Sequence, residues 1–272
     1  MTRLAAFAAL ALLALGAASS AQQTPGRRPP LVVTNDTVSI IHSDQPATLV
    51  LPKSKPPFPA VILMHGCGGV TVNMQVWAQR LASWGYAAMV LDSFGPRGID
   101  NVCGHGNRFP PRERAKDAFA AAAWLRQRPE IDPARIGLIG FSHGGSTALA
   151  ASIQRRVTAL GVEPFKAVIA YYPFCPAIAL ELANDLQILI GSEDDWTPAG
   201  RCAEWLPLYA EASGHKPLLK IYAGALHVFD ANAPRRVYFG HHLGYDAAAA
   251  VDSFKMTRQF LDSHLRSAAP HE

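Results

Sequence analysis

Beyond residue 36 the chain alternates between short apolar runs and longer stretches in which apolar residues recur every three or four positions. Thr37–His42 and Ala47–Leu51 read as the extended arms of an edge hairpin, interrupted by Pro46 and closed by the Pro-rich turn 52–59. Ala60–His65 is almost continuously apolar, as a buried parallel strand requires, and Ala87–Leu91, Arg135–Gly140, Lys166–Tyr171, Gln187–Gly191 and Leu218–Tyr222 repeat the pattern. Helical spacing predicts helices over 73–84, 111–128, 143–160, 198–213 and 246–265. In the first, Val76, Trp77, Arg80 and Leu81 share a face; in the last, Val251, Phe254, Leu261 and Leu265 do. Strands separated by helices imply a mostly parallel central sheet flanked by helices on both faces, hence one α/β domain over residues 37–272.

The first 21 residues do not fit that pattern. Arg3 precedes an uninterrupted small and apolar run, Leu4–Ala18, which ends in Ser19-Ser20-Ala21. This reads as a secretory signal peptide, residues 1–21, followed by a polar, Pro-rich linker, residues 22–36. A membrane anchor needs about 20 spanning residues, more than this run supplies. The expected destination is periplasmic or secreted, with no membrane association after cleavage. A net charge of +4, spread over 25 Lys+Arg and 21 Asp+Glu, is too diffuse to indicate nucleic acid as a partner.

Export changes the meaning of the four cysteines, because oxidising compartments favour disulfides. No CxxC is present, so neither a zinc ribbon nor a thioredoxin-type motif is indicated. The expected pairs are Cys67–Cys103 and Cys175–Cys202, each tying a loop after one strand to the loop or helix after a later one.

Chemistry concentrates where strands end. Strand 135–140 runs into Gly140-Phe-Ser142-His-Gly144-Gly145 and then a helix, placing G-x-S-x-G in the strand, turn, helix setting of a nucleophile elbow. A serine hydroxyl needs a base, and the base needs a carboxylate to orient it. Strand 187–191 ends in Gly191-Ser-Glu-Asp194-Asp195-Trp-Thr-Pro198, offering two candidate acids, one of which can cap the following helix. His227, on the loop beyond strand 218–222, is the candidate base. His241 and His242 are adjacent, so their side chains diverge, and no third ligand accompanies them; no metal site is expected. The tetrahedral oxyanion requires backbone N–H donors. The amides of His143, directly after the serine, and of Cys67, within His65-Gly-Cys67-Gly-Gly69, are the candidates, with His65 itself structural.

These motifs, HGCGG, GFSHGG, GSEDDWTP and GALHVFD, in this order, resemble the α/β-hydrolase superfamily and within it the dienelactone hydrolase family. The likeness covers nearly all of the chain after residue 21. It implies an α/β-hydrolase fold, a Ser142-Asp194-His227 triad and no cofactor. Asp194 is preferred over Asp195 because G-x-x-D-x-x-x-P is the family's form of this turn, which leaves Asp195 to cap the helix. Members in the strict sense carry a cysteine nucleophile; with serine in its place, a serine hydrolase of small carboxylic esters or lactones is implied. A peptidase or acyltransferase using the same triad, or a noncatalytic binding protein on the same fold, are the alternatives.

About 15 residues separate strand 166–171 from the next, too few for a large cap domain. The longest irregular connection, 92–110, is expected to border the pocket with Phe94, Arg97 and Arg108, joined by Tyr172 and Trp196; an arginine there either meets a substrate carboxylate or faces solvent.

Overall fold

The computed structural model describes residues 33–34, 37–42, 45–177, 181–212, 214–215 and 217–266. The predicted signal peptide lies outside them, as does the predicted linker except for Val33 and Thr34, which form a two-residue strand, β1. Among the described residues no helix is long and apolar enough to cross a membrane.

The sheet has nine strands in the order β1-β2-β3-β5-β4-β6-β7-β8-β9. β2 (Thr37–His42) and β3 (Gln45–Val50) form the expected hairpin, and β3 runs antiparallel to β5 (Ala87–Leu91). From β5 onward every pairing is parallel, through β4 (Phe58–Met64), β6 (Ile131–Phe141), β7 (Ala167–Tyr171), β8 (Leu186–Gly191) and β9 (Leu218–Tyr222). All residues of β4, β5, β7 and β8 are buried, which explains their unbroken apolar sequences. β9 closes the sheet and exposes Leu218 and Ile221.

β5 and β6 lie on opposite sides of β4, so the chain reverses its direction of winding there. The loops leaving β4 and β6 diverge at this switch point and leave a crevice at the carboxyl end of the sheet, where ligand sites of such folds form.

The covering helices are α1 (Val72–Ser83), α2 (Pro111–Leu125), α3 (His143–Ala151), α4 (Gln154–Leu160), α5 (Ala199–Ala212) and α6 (Ala247–Leu265). The predicted helix 143–160 is therefore two. Ile153 is extended and bridges Leu182, while Ser152 O accepts from Ala183 N–H and Gln154 N–H donates to Glu181 O. Cross-chain pairing replaces intrahelical bonds at that point. Two faces also differ from expectation. Val76 of α1 and Val251 of α6 are exposed; α1 buries Met74, Trp77, Ala78 and Leu81. α6 buries Ala250, Ser253, Thr257 and Leu261, and the Tyr171 hydroxyl beneath bonds the Ser253 carbonyl and Thr257 Oγ1 on that face.

The connection 92–110 holds two single 3₁₀ turns, Gly95–Arg97 and Gly106–Arg108. A further hairpin, β10 (Arg236–Tyr238) with β11 (His241–Leu243), stands where the sequence pattern predicted no element.

Candidate active site

The turn after β6 places Ser142 at φ 55°, ψ −116°, a conformation L residues rarely adopt. Sterics dictate the flanking glycines: a Cβ on Gly140 would meet the Gly144 carbonyl, and one on Gly144 would meet the Met64 carbonyl of β4. The elbow thus projects the serine side chain into the crevice beside the loop following β4.

His227, on the loop after β9, directs Nε2 to Ser142 Oγ at 2.9 Å and Nδ1 to Asp194 Oδ2 at 2.7 Å. Asp194 is held in turn: its Oδ1 accepts from the Trp196 and Thr197 amides at 3.0 and 2.8 Å, and Thr197 Oγ1 lies 3.0 Å from Oδ2. Asp194 and His227 are buried, and Ser142 is half-buried at the cavity floor. Asp195 does not cap a helix. Its carboxylate accepts from the His242 amide and pairs with the His241 and His242 rings, tying β11 to the turn after β8. Those two histidines therefore serve the hairpin, and no cluster of three metal-ligating side chains occurs among the described residues.

Cys67 and Cys103 form one disulfide, Cys175 and Cys202 the other. The first joins the Gly-rich loop after β4 to the connection 92–110, assisted by the Val102 amide donating to Cys67 O. The His143 amide, in the first turn of α3, has no carbonyl four residues back within the helix and is available to an incoming ligand.

Below these two loops lies a residue that the sequence did not single out. Arg114 is fully buried; its Nη1 donates to His65 O at 2.7 Å and lies 3.2 Å from His143 Nδ1. It links the segment bearing Cys67 to the residue after Ser142. Burial, opposed by Asp117 and Asp92, lowers this guanidinium to about 9. Burial and the Arg114 charge together depress His143 to about 4, leaving a neutral ring whose Nε2–H donates to Gly106 O. His65, buried and beside Arg114, is likewise held well below the usual histidine range, with Nδ1–H on Gly66 O and Nε2 accepting from the Ser93 amide. Its role here is structural, as expected.

Asp230 is the second such residue. It is buried three positions after the histidine and accepts from Tyr172 Oη at 2.6 Å, Trp77 Nε1 at 2.8 Å and Asn73 Nδ2 at 3.0 Å. Tyr172 has φ 38°, and its ring stands edge-on to His227 at 4.6 Å between centroids. The carboxylate thereby fixes a wall of the histidine's pocket. The sequence signal was present in GALHVFD, but only tertiary contact gives the aspartate its partners.

Ser142 and His227 open on a cavity of about 750 Å³, lined also by Cys67, Tyr172 and Trp196. Trp196 stacks on His241 at 4.7 Å. Phe94, Arg97 and Arg108 do not line it, contrary to expectation. Phe94 is buried against His65. Arg97 makes a two-pronged ion pair with Asp117 at 2.8 and 2.9 Å, and Arg108 is exposed. The Asp117 pair draws Arg97 onto α2. The arginines on the cavity are Arg80 and Arg236.

The family model for the "Dienelactone hydrolase family" matches residues 46–265. Thiohydrolase aneE of Aspergillus aculeatus is 35% identical over 101 residues, 36% of this chain and 31% of that protein. The mitochondrial acyl-coenzyme A thioesterase 2 of Mus musculus is 35% identical over 118 residues, 42% of this chain and 23% of that one. The chain thus spans a third or less of the length of these two relatives. A protein described as a probable 2-oxo-3-(5-oxofuran-2-ylidene)propanoate lactonase from Bradyrhizobium is 25% identical over 182 residues, 63% of this chain and 73% of that one. Among solved structures, an esterase of Thermogutta terrifontis, Est2, aligns with TM-score 0.65 at 17% identity, covering 86% of this chain and 97% of its own.

Proposed function

This chain belongs to the dienelactone hydrolase family; from that premise we propose that it is a hydrolase of ester bonds, cleaving a small carboxylic ester or lactone through an acyl-enzyme on Ser142. The observation that carries this reading is the continuous relay from Ser142 Oγ through His227 to Asp194, at 2.9 and 2.7 Å.

In the reaction, Ser142 Oγ attacks the substrate carbonyl while His227 Nε2 takes its proton. Asp194 holds Nδ1–H and stabilises the imidazolium. The amides of Cys67 and His143 donate to the oxyanion. Collapse of the tetrahedral species expels the alcohol, which receives the proton from His227; water, activated by the same histidine, then releases the acid and restores the serine. A ring-opened lactone keeps its alcohol on the acyl chain. Tyr172 and Trp196 line the acyl or leaving-group path. Thioesters react by the same steps, and the names of the thiohydrolase and thioesterase relatives make them the natural second substrate in a panel.

The two disulfides point to an oxidising compartment. With the apolar segment 4–18 they support export of the mature chain from residue 22 onward.

The test is hydrolysis of short p-nitrophenyl esters by the wild type and Ser142→Ala, with fluorophosphonate labelling. Loss of at least about a thousandfold in kcat and labelling confined to Ser142 are expected. Equal rates, or labelling elsewhere, overturn the assignment.

A further inference from the structure

Part of the rim of the catalytic cavity is apolar, although Arg80 and Arg236 also line it. Eleven large hydrophobic side chains are exposed among the described residues, and six of them fall in two short stretches: Val70, Val72 and Val76 at the start of α1, and Val237, Tyr238 and Phe239 on the β10–β11 hairpin. Val72, Val76 and Tyr238 line the cavity itself, as do Gly69 and Thr71 on either side of Val70. Val72 is 79%, Val237 62% and Phe239 52% exposed. Along β10 the Val237 side chain points opposite to Tyr238, outward from the hairpin. Phe239 occupies the turn at φ 51°, with its ring over Gly104. Gly104 adjoins Cys103, which is bonded to Cys67, so the hairpin tip reaches the loop on the far side of Ser142.

Scattered exposed valines would need no explanation, whereas a grouping around one opening marks a binding surface. Residues 66–79 contain no Asp, Glu, Lys or Arg, so the exposed start of α1 matches an uncharged phase; the charges beside the collar are Arg80 further along α1 and Arg235 and Arg236 ahead of Val237. The collar is also continuous with the cavity, through Val72, Val76 and Tyr238.

We propose that this collar seats the enzyme on the surface of an aggregated, water-insoluble neutral ester, from which single molecules enter the cavity past Val72, Val76 and Tyr238. The inference rests on the reading of Ser142 as nucleophile and names the physical form of its substrate. Val70, Val237 and Phe239 do not line the cavity, so the triple variant Val70→Ser, Val237→Thr, Phe239→Asn alters the collar alone.

Rates are to be measured on tributyrin below and above its solubility limit and on soluble p-nitrophenyl acetate. The wild-type rate is expected to rise again once droplets form. The triple variant loses that second rise, falling about tenfold on the emulsion while staying within about twofold on the soluble ester, because only docked apolar area has been removed. Ser142→Ala, inactive on both, is expected to co-float with the droplets as the wild type does. Activity retained in Ser142→Ala would overturn the nucleophile assignment while leaving flotation to judge the collar. No second rise, no flotation, equal losses of the variant on both esters, or a wild-type dimer abolished by the triple variant would each overturn the collar.

Discussion

Replacing Asp230 by alanine removes one carboxylate and leaves three donors without an acceptor. Two of these, Trp77 Nε1 and Tyr172 Oη, belong to side chains that are almost completely buried, and the third, Asn73 Nδ2, is partly exposed. A buried donor stripped of its partner costs about 1–3 kcal/mol. The cavity lined by Asp230 admits water that can satisfy Asn73, so the expected destabilisation is about 4 kcal/mol, at the lower half of the range for three donors. Asp230→Asn keeps an acceptor oxygen for one or two of the donors but sets an amide N–H₂ against the rest, and about 2 kcal/mol is expected. Tyr172→Phe, which deletes a single donor, is expected to cost about 1–2 kcal/mol.

Urea unfolding followed by tryptophan fluorescence and far-ultraviolet circular dichroism gives these values from the shift in midpoint at constant m. The combined Asp230→Ala, Tyr172→Phe variant is expected to be less destabilised than the two changes added together, since they share one hydrogen bond. Tyr172 packs edge-on to His227, so kcat on a soluble ester is expected to fall in Asp230→Ala even under conditions where the variant is fully folded. A cost below about 1 kcal/mol for Asp230→Ala, or strict additivity of the pair, would refute this account.

Two further outcomes follow from the same geometry. His143 is held at about 4 in the folded protein and returns to the ordinary histidine value on unfolding. Below about pH 6.5 the unfolded chain binds a proton that the native state refuses, so the stability present above that pH is lost as pH falls toward 4, about 2 kcal/mol between pH 7 and 5; His65, also depressed, acts in the same direction. His143→Gln, whose amide can meet both Arg114 and Gly106 O, is expected to flatten the pH dependence of the urea midpoint, and an unchanged slope would contradict the burial account. Asp195→Ala releases β11 at His241 and His242, and because these groups are partly exposed the global cost is expected to be only about 1 kcal/mol. Amide exchange over 236–243 is the sensitive readout, and protection equal to wild type would show that the aspartate does not hold the hairpin.

The strand and helix order was legible because each buried strand carries its own apolar run and each elbow its own glycines. Ala87–Leu91 and Leu218–Tyr222 were delimited to the residue. Where a boundary or face failed, the deciding contact came from elsewhere in the chain: helix 143–160 breaks at Ile153 because Leu182 pairs with it, and Val251 faces solvent because α6 turns its opposite side to the Tyr171 hydroxyl, which bonds the Ser253 carbonyl and Thr257 Oγ1. The same holds at the site. Motif and chain order brought Ser142, Asp194 and His227 forward as candidates, since sharp turns at strand ends leave a local signature.

Phe94, Arg97 and Arg108 were misplaced because a long connection has no periodicity from which to read its path, and here it folds back on α2 through Asp117. Arg114 and Asp230 look like ordinary polar residues of a helix and a loop until the fold buries them. By itself, then, the sequence determined the alternation of strands and helices, the sharp turn that carries Ser142 and the family. Tertiary structure alone decided which buried charges brace the two loops around the serine, which arginines reach the cavity, and that a hairpin arches beside it. Those depend on contacts between residues far apart in the chain, whose energies exist only once the sheet has brought them together.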